Sequence, residues 1–209
     1  MTTATEEFLA ELGERFERIQ VACSFQKEAV VIAHLVSEAL PQARFFTLDT
    51  SLFFGETYET WERLEERLGI TVEGRRGIAL EEQTALHGDG LWERDPERCC
   101  DLRKVRPLRD VLAEADVWIA GLRRDQSPDR ADTPLLGWDV KHGLWKAAPL
   151  ADWGERDVWR HIHEHDLPYH PLHDRGYASI GCEPCTSPGT DREGRWAGTD
   201  KIECGLHAA

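Results

Sequence analysis

Four cysteines carry the spacing of a metal-binding set: the adjacent pair Cys99-Cys100, and Cys182-Glu183-Pro184-Cys185 about eighty residues later. Neighbouring thiols strain badly as a disulfide with each other, because a bridge needs a defined Cα separation and dihedral. A Cys-x-x-Cys pair directs two sulfurs at one centre with ease. Brought together, the two pairs supply four thiolates, enough for tetrahedral zinc or an iron–sulfur cluster. An adjacent pair is unusual among structural zinc spacings, which tilts the set toward iron–sulfur. Buried cysteine also serves as a small hydrophobe, but Glu97, Arg98 and Asp101 make this a polar neighbourhood and a poor core. Cys23, in an apolar run, suits the core instead.

A fifth thiol, Cys204, lies in Glu203-Cys204-Gly205-Leu206-His207. A lone cysteine near a terminus is as often incidental as functional. As a nucleophile, it would ride a mobile tail into a cleft and out again, with His207 or nearby arginines raising its thiolate fraction.

The basic residues are grouped. Arg103, Lys104, Arg106 and Arg109 follow the doublet, Arg123, Arg124 and Arg130 follow an apolar strand, and Arg192 and Arg195 precede the tail. Such residues are usually solvated surface, yet the chain's net charge is −14. Grouping against that background suggests an anion pocket, and arginine suits bidentate recognition of phosphate or sulfate. His161, His163, His165, His170 and His173 lack the His-Glu-x-x-His pattern of a helical zinc site and read as plain helix and loop residues. Among the tryptophans, Trp196 is the one placed to line a ligand.

The elements that must position these groups follow from periodicity. The chain has 209 residues, 41% hydrophobic and 31% charged, which fits one domain with a sizeable core. The acidic balance argues against nucleic acid and anionic membrane as partners. No signal-like pattern or spanning apolar run is visible, so a cytoplasmic, reducing location is expected, where cysteines serve as ligands or in chemistry. Phe8, Leu9, Leu12, Phe16 and Ile19 predict a helix capped by Thr5. Strands are expected at Gln20 to Cys23, Ala43 to Leu48, Ile70 to Glu73 and Asp116 to Gly121. Helices are expected at Ala29 to Leu40, Glu56 to Leu68 and Val105 to Ala115. This alternation predicts an α/β fold, a parallel sheet with helices on both faces, and ligands beyond the strands' carboxyl ends. A hairpin over Trp138 to Trp145 and a helix over Glu155 to His165 follow. The expected division is one domain: an α/β core at 1–136, an appended region with Cys182 and Cys185 at 137–198 and a tail with Cys204 at 199–209.

The ordered stretches Ser24-Phe25-Gln26-Lys27-Glu28, Thr47-Leu48-Asp49-Thr50, Cys99-Cys100 with Arg103-Lys104, Gly121-Leu122-Arg123-Arg124-Asp125-Gln126-Ser127, Ser179-Ile180-Gly181-Cys182-Glu183-Pro184-Cys185-Thr186, Arg192-Glu193-Gly194-Arg195-Trp196 and Glu203-Cys204-Gly205-Leu206-His207 give a resemblance. The chain resembles the assimilatory adenylyl-sulfate and phosphoadenylyl-sulfate reductases, in the branch bearing a [4Fe-4S] cluster. The resemblance implies an adenine nucleotide α-hydrolase fold of the PP-loop type. It implies that Cys99, Cys100, Cys182 and Cys185 ligate the cluster and that Cys204 is the nucleophile, forming an S-sulfonate that thioredoxin or a similar dithiol protein releases as sulfite. It places Lys104 between cluster and substrate sulfate, Arg192 and Arg195 on the tail side, and Ser24, Phe25, Lys27, Asp49 and Arg124 around the nucleotide. Adenylyl sulfate is the expected substrate, with the 3′-phosphorylated form, or both, as the alternative; a homo-oligomer is left open. Where many relatives read Asp-Thr-Gly-Arg, this chain has Asp49-Thr50-Ser51-Leu52. A Ser-Gly-Gly-x-Asp-Ser loop is missing, which argues against an ATP-dependent adenylating enzyme. A non-catalytic cluster- or zinc-binding module would make Cys204 dispensable.

Overall fold

In the computed structural model, residues 2–190, 192–201 and 203–207 are described; Met1, Asp191, Ile202, Ala208 and Ala209, which include parts of the expected tail, lie outside them. Six strands, β1 (Ile19–Ala22), β2 (Arg44–Leu48), β3 (Val72–Arg75), β4 (Val117–Ile119), β5 (Leu136–Asp139) and β6 (Leu144–Ala147), form one sheet ordered β3-β2-β1-β4-β6-β5. All neighbours pair in parallel except β5, which runs antiparallel to β6. The helices are α1 (Thr2–Arg15), α2 (Lys27–Ala39), α3 (Gly55–Leu68), α4 (Leu80–His87), α5 (Leu91–Arg94), α6 (Pro96–Cys100), α7 (Arg106–Leu112) and α8 (Glu155–Glu164).

Strand alternation divides the core between the two faces. Val21, Phe45, Val117, Ile119 and Ala147 pack with Leu9 and Leu12 of α1, Val30 and Ile32 of α2, and Val158 and Ile162 of α8. Phe46, Trp118 and Leu144 pack on the other face with Leu108, Val111 and Leu112 of α7. Helices thus cover both faces, as a parallel sheet requires. No helix among the described residues is long and apolar enough to cross a membrane.

Several sequence expectations shift. Thr5 does not cap α1; it lies inside the helix, and its hydroxyl accepts a hydrogen bond from Trp153 Nε1 at 3.0 Å. The edge strand β3 begins two residues later than expected, because its exposed Glu73, Gly74 and Arg75 hide it from a hydrophobic pattern. The hairpin is present as β5 and β6, but β6 pairs with β4, so the division at 136/137 cuts through β5 and the core sheet runs on to residue 147. Helices α4, α5 and α6 were not foreseen, being short and polar.

The strand order turns back at β1, which lies between β2 and β4, while the chain leaves β1 and β4 toward the same end of the sheet. A crevice at such a switch point is where open α/β sheets bind ligands. Close approach there depends on Gly121: a Cβ on it would stand 3.1 Å from Glu28 Cβ.

Candidate functional site

A crevice of about 490 Å³ opens at the carboxyl ends of β1 and β4. Its walls include Ser24 and Lys27 from the β1–α2 turn, Gly121 and Arg123 after β4, Lys104 below α7, Arg130, Ser179 to Gly181, Arg192, Arg195, and the tail residues Glu203, Cys204, Leu206 and His207. The structure therefore gathers Ser24, Lys27, Lys104, Arg192, Arg195 and Cys204, residues separated by up to 180 positions (204 − 24), around one space.

Three expected contacts lie outside it. Phe25 is fully buried, with φ 59° and its ring stacked on Trp61 at 5.2 Å, so it braces the β1–α2 turn from the core side. Asp49 is held by Ser51 N (2.9 Å), Tyr58 Oη (2.9 Å) and Arg76 Nε (2.7 Å). Burial pushes its carboxyl up, but these three donors more than offset that and hold it below the usual range. Arg124 points away, bonding Thr133 O at 2.8 Å and pairing with Asp152. Arg123 is extended (φ −128°, ψ 145°) while Arg124 opens a 3₁₀ turn, and it is Arg123 that enters the crevice, paired with Glu28 at 3.1 Å and with Asp125. Arg123, Arg130, Glu203 and Trp118 are wall residues not selected as contacts; the grouping of arginines after β4 was the trace of the first two, and the Cys204 stretch that of Glu203.

Most crevice cations are already paired with carboxylates. Lys27 Nζ meets Glu155 at 2.8 Å. Arg130 and Arg192 meet Glu203 at 2.8 and 3.0 Å.

Beneath the crevice lies a cavity of about 10 Å³, lined by Cys99, Cys100, Cys182, Cys185, Thr50, Trp92, Arg103, Lys104 and Trp196. Lys104 lines both spaces. The doublet arrives at the end of α6, whose start is fixed by Pro96 and by Asp95, which accepts from Arg98 N at 2.9 Å. A π-turn, Asp101–Val105, follows at once and buries both Arg103 and Lys104, as such turns do near functional sites. The second pair sits in a loop pinned to the β2–α3 connection: Phe53 bridges Cys182, and Glu183 N donates to Leu52 O at 2.7 Å. Cys185 N donates to Cys182 O at 3.0 Å, closing a 3₁₀ turn. Gly181 lets Arg195 lie across this loop, since a Cβ there would stand 2.2 Å from the guanidinium.

The four thiols sense one another. Burial, then Cys100, Cys182 and Cys185, push Cys99 up to about 12; burial and Cys182 push Cys185 up to about 11. Burial also raises Cys100. Cys182 moves down instead: burial opposes its ionisation, but Lys104, the Thr50 hydroxyl at 3.3 Å and Arg195 outweigh it. Burial alone would discharge Lys104, but Cys182, Cys204 and Cys100 keep it protonated, with its pKa raised. Arg103 donates to Gln83 Oε1 at 2.7 Å and Thr50 O at 2.5 Å, leaving its buried Nη2 without a hydrogen-bond partner. Among the described residues no three His, Cys, Asp or Glu side chains form a site for a single metal ion. The donor set nonetheless fits an anionic metal–thiolate group: four sulfurs on one cavity, with a lysine and a guanidinium nitrogen beside them. The histidines serve structure, as expected. His34 Nδ1 and His161 Nε2 are 3.0 Å apart between α2 and α8, and His170 Nε2 meets Thr57 Oγ1 at 2.9 Å.

A nucleotide-type crevice at the switch point of a largely parallel sheet, walled by cations and a thiol, defines an α/β domain of the adenine nucleotide α-hydrolase kind. Residues 18–188 match the phosphoadenosine phosphosulfate reductase domain, and the chain belongs to that family. An adenosine 5′-phosphosulfate reductase of Salinibacter ruber is 49% identical over 191 residues, which are 88% of this chain and 76% of that protein. One of Geobacillus kaustophilus is 49% identical over 200 residues, 92% of this chain and 85% of that protein. The crystal structure of phosphoadenylyl-sulfate reductase from Candida auris in a phosphate complex superposes with a TM-score of 0.78 at 26% identity, covering 88% of this chain and 90% of that one.

Proposed function

We propose that this chain is a cytoplasmic, thioredoxin-dependent adenylyl-sulfate reductase of sulfate assimilation, converting adenylyl sulfate to sulfite and AMP. The observation that carries this reading is Cys204 on the wall of the crevice with Lys104, Arg192 and Arg195 around the same space. Family relatives at 49% identity that bear this activity by name support it.

The nucleotide would enter between the β1–α2 turn and the end of β4, its sulfate directed at Lys104 and Arg195. The Cys204 thiolate attacks the sulfate sulfur, an S–S bond forms, the bond from sulfur to the phosphate oxygen breaks, and AMP leaves with that oxygen. Lysine and arginine screen the sulfate's charge from the incoming thiolate, most effectively in a site closed against water. A thiolate of the dithiol protein then attacks Cys204 Sγ, sulfite departs, and the second thiol resolves the mixed disulfide. The dithiol is oxidised by two electrons and sulfur(VI) becomes sulfur(IV). Undocking of the tail would let one sulfur serve both partners.

Cys99, Cys100, Cys182 and Cys185 would hold a [4Fe-4S] cluster. When bound, it supplies structural and electrostatic support beneath Lys104. None of the six cysteines forms a disulfide, in keeping with a reducing location.

The test is sulfite release by anaerobically purified protein with thioredoxin, adenylyl sulfate and its 3′-phosphorylated form run in parallel. Turnover of adenylyl sulfate alone is expected. Equal turnover of both would reassign the chain to broader specificity, and sulfite from neither, with the cluster intact, would overturn the reading.

A further inference from the structure

We propose that the Cys204 segment is held by a two-point clamp, Arg130 and Arg192 gripping Glu203 on one side while Lys141 and Trp118 seat Gly205 to His207 on the other, which makes these groups positioning residues for the thiol. The proposal rests on Cys204 being the nucleophile.

On the upstream side, Arg130 Nη2 donates to one oxygen of Glu203 at 2.8 Å and Arg192 Nη2 to the other at 3.0 Å. The participating side chains are between 12% and 22% exposed, so the carboxylate is fixed by two charge-assisted bonds in a largely shielded place. On the downstream side, Lys141 Nζ donates to Gly205 O. The His207 ring lies on Trp118, with centroids 5.3 Å apart and planes 15° from parallel, and Leu206 joins the apolar cluster of Phe46, Leu108 and Trp118. Gly205 takes φ 79°, a left-handed turn that sends Leu206 and His207 back into the wall.

The receptor is assembled from separate parts of the fold: β4, the 3₁₀ turn Pro128–Arg130, the turn between β5 and β6, and Arg192. Trp118 and Lys146 are neighbours in the β4–β6 register, so the hairpin that extends the sheet also builds the seat. With the tail clamped the crevice keeps its 490 Å³, so the docked thiol faces a space still open to a ligand. Both anchors lie within three residues of Cys204 and straddle it, an arrangement that fixes where its sulfur points.

The test uses anaerobically purified holoprotein carrying Arg130→Gln, Glu203→Gln, both together, the conservative Arg130→Lys, and Lys141→Ala at an exposed position. Iodoacetamide alkylation of the Cys204 peptide is followed by mass spectrometry, S-sulfonate formation by single turnover with adenylyl sulfate, and nucleotide affinity by AMP binding. Loss of either partner of the Glu203 pair is expected to speed alkylation and slow S-sulfonate formation about tenfold each, with AMP affinity within about twofold. The double variant should be no worse than the worse single one. Arg130→Lys should recover part of the loss, and Lys141→Ala should show a smaller effect in the same direction. Parental alkylation and transfer rates in the variants would overturn the clamp, as would a fall in AMP affinity matching the fall in rate, which would make Arg130 a nucleotide contact. If the parent forms no S-sulfonate, the reductase reading fails, and the alkylation rates alone decide whether the clamp exists.

Discussion

The two spaces that share Lys104 are built on opposite electrostatic plans. In the large crevice most cations have a carboxylate: Lys27 has Glu155, Arg123 has Glu28 and Asp125, and Arg130 and Arg192 have Glu203. In the small cavity the cations meet thiols, and Arg103 Nη2 meets no hydrogen-bonding partner among the described residues. An unpaired buried donor costs on the order of 1–3 kcal/mol, a cost that makes sense where an anionic group resides permanently. Paired walls suit a visiting anion, because ion pairs can exchange partners as the ligand comes and goes. On the proposed reading, the crevice serves turnover and the cavity holds the resident group. Lys104 lines both spaces, and Arg195 on the crevice wall also acts on Cys182, so these two cations link the cavity to the crevice.

The sharpest way to break this contrast is to remove one sulfur from each space. Cys204→Ser should cut sulfite formation by roughly 10⁴-fold or more, as loss of a covalent nucleophile does, while the iron content and visible absorbance stay at parental levels. Cys182→Ser should do the reverse to the spectrum, lowering iron and labile sulfide severely and dragging activity down with them. If Cys204→Ser also lost iron, the two spaces would not be separable.

The shared wall gives the next largest effect. Lys104→Gln should slow single-turnover S-sulfonate formation by about 10²–10³-fold, the scale of losing a preorganised charge at a reacting centre. Lys27→Gln, which leaves Glu155 at the mouth, should act mainly on KM. Equal losses in kcat from both substitutions would erase the distinction between resident-linked and ligand-linked cations.

Acid tests the scaffold beneath both spaces. Burial, with His173 nearby, lowers His170 to about 4, and burial, with His165 and His34, does the same to His161. Unfolded histidine titrates near about 6.5, so the unfolded chain takes up protons first as pH falls. Stability is fully present above about 6.5 and is lost progressively toward pH 4, by on the order of 2 kcal/mol per group. Thermal unfolding at pH 7 and pH 5 should show the drop. His170→Gln, at the turn leading to the second cysteine pair, should flatten the slope; an unchanged slope would mean that another group sets it.

How much of this could be read from the chain depended on how local the cause was. Strands β1, β2 and β4 and helices α2, α3 and α8 announce themselves because their periodicity is set by which face they bury. The cysteine pairs and Cys204 stood out because few residue types do that chemistry, and the structure places the pairs on one cavity and Cys204 on the crevice wall. Choosing between Arg123 and Arg124 was not possible from the chain: both carry the same charge, and only the turn that begins at Arg124 decides which enters the crevice. Phe25 and Asp49 sit inside recognisable motifs, yet they support the loops rather than touch the crevice. The clamp joins Arg130 to Glu203 across 73 positions and Lys141 to Gly205 across 64, a juxtaposition that only the sheet creates.

The smallest expected effect concerns the loop joining the two spaces. Ser51 adopts φ 56°, the left-handed region that a side chain makes costly. Its N–H bonds Asp49 Oδ1 at 2.9 Å, and the neighbouring Thr50 hydroxyl bonds Leu52 N at 3.3 Å, so the strained turn is held by side chains that also face Arg76 and Cys182. Ser51→Gly should keep every one of those bonds while relieving the strain. The unfolded chain gains freedom from the glycine, which offsets part of the benefit. A net stabilisation of about 0.5–1 kcal/mol is expected from denaturant melts of the holoprotein, with sulfite formation unchanged. A destabilisation would mean that the serine hydroxyl, not the backbone, is what fixes the turn between the crevice and the cysteine cavity.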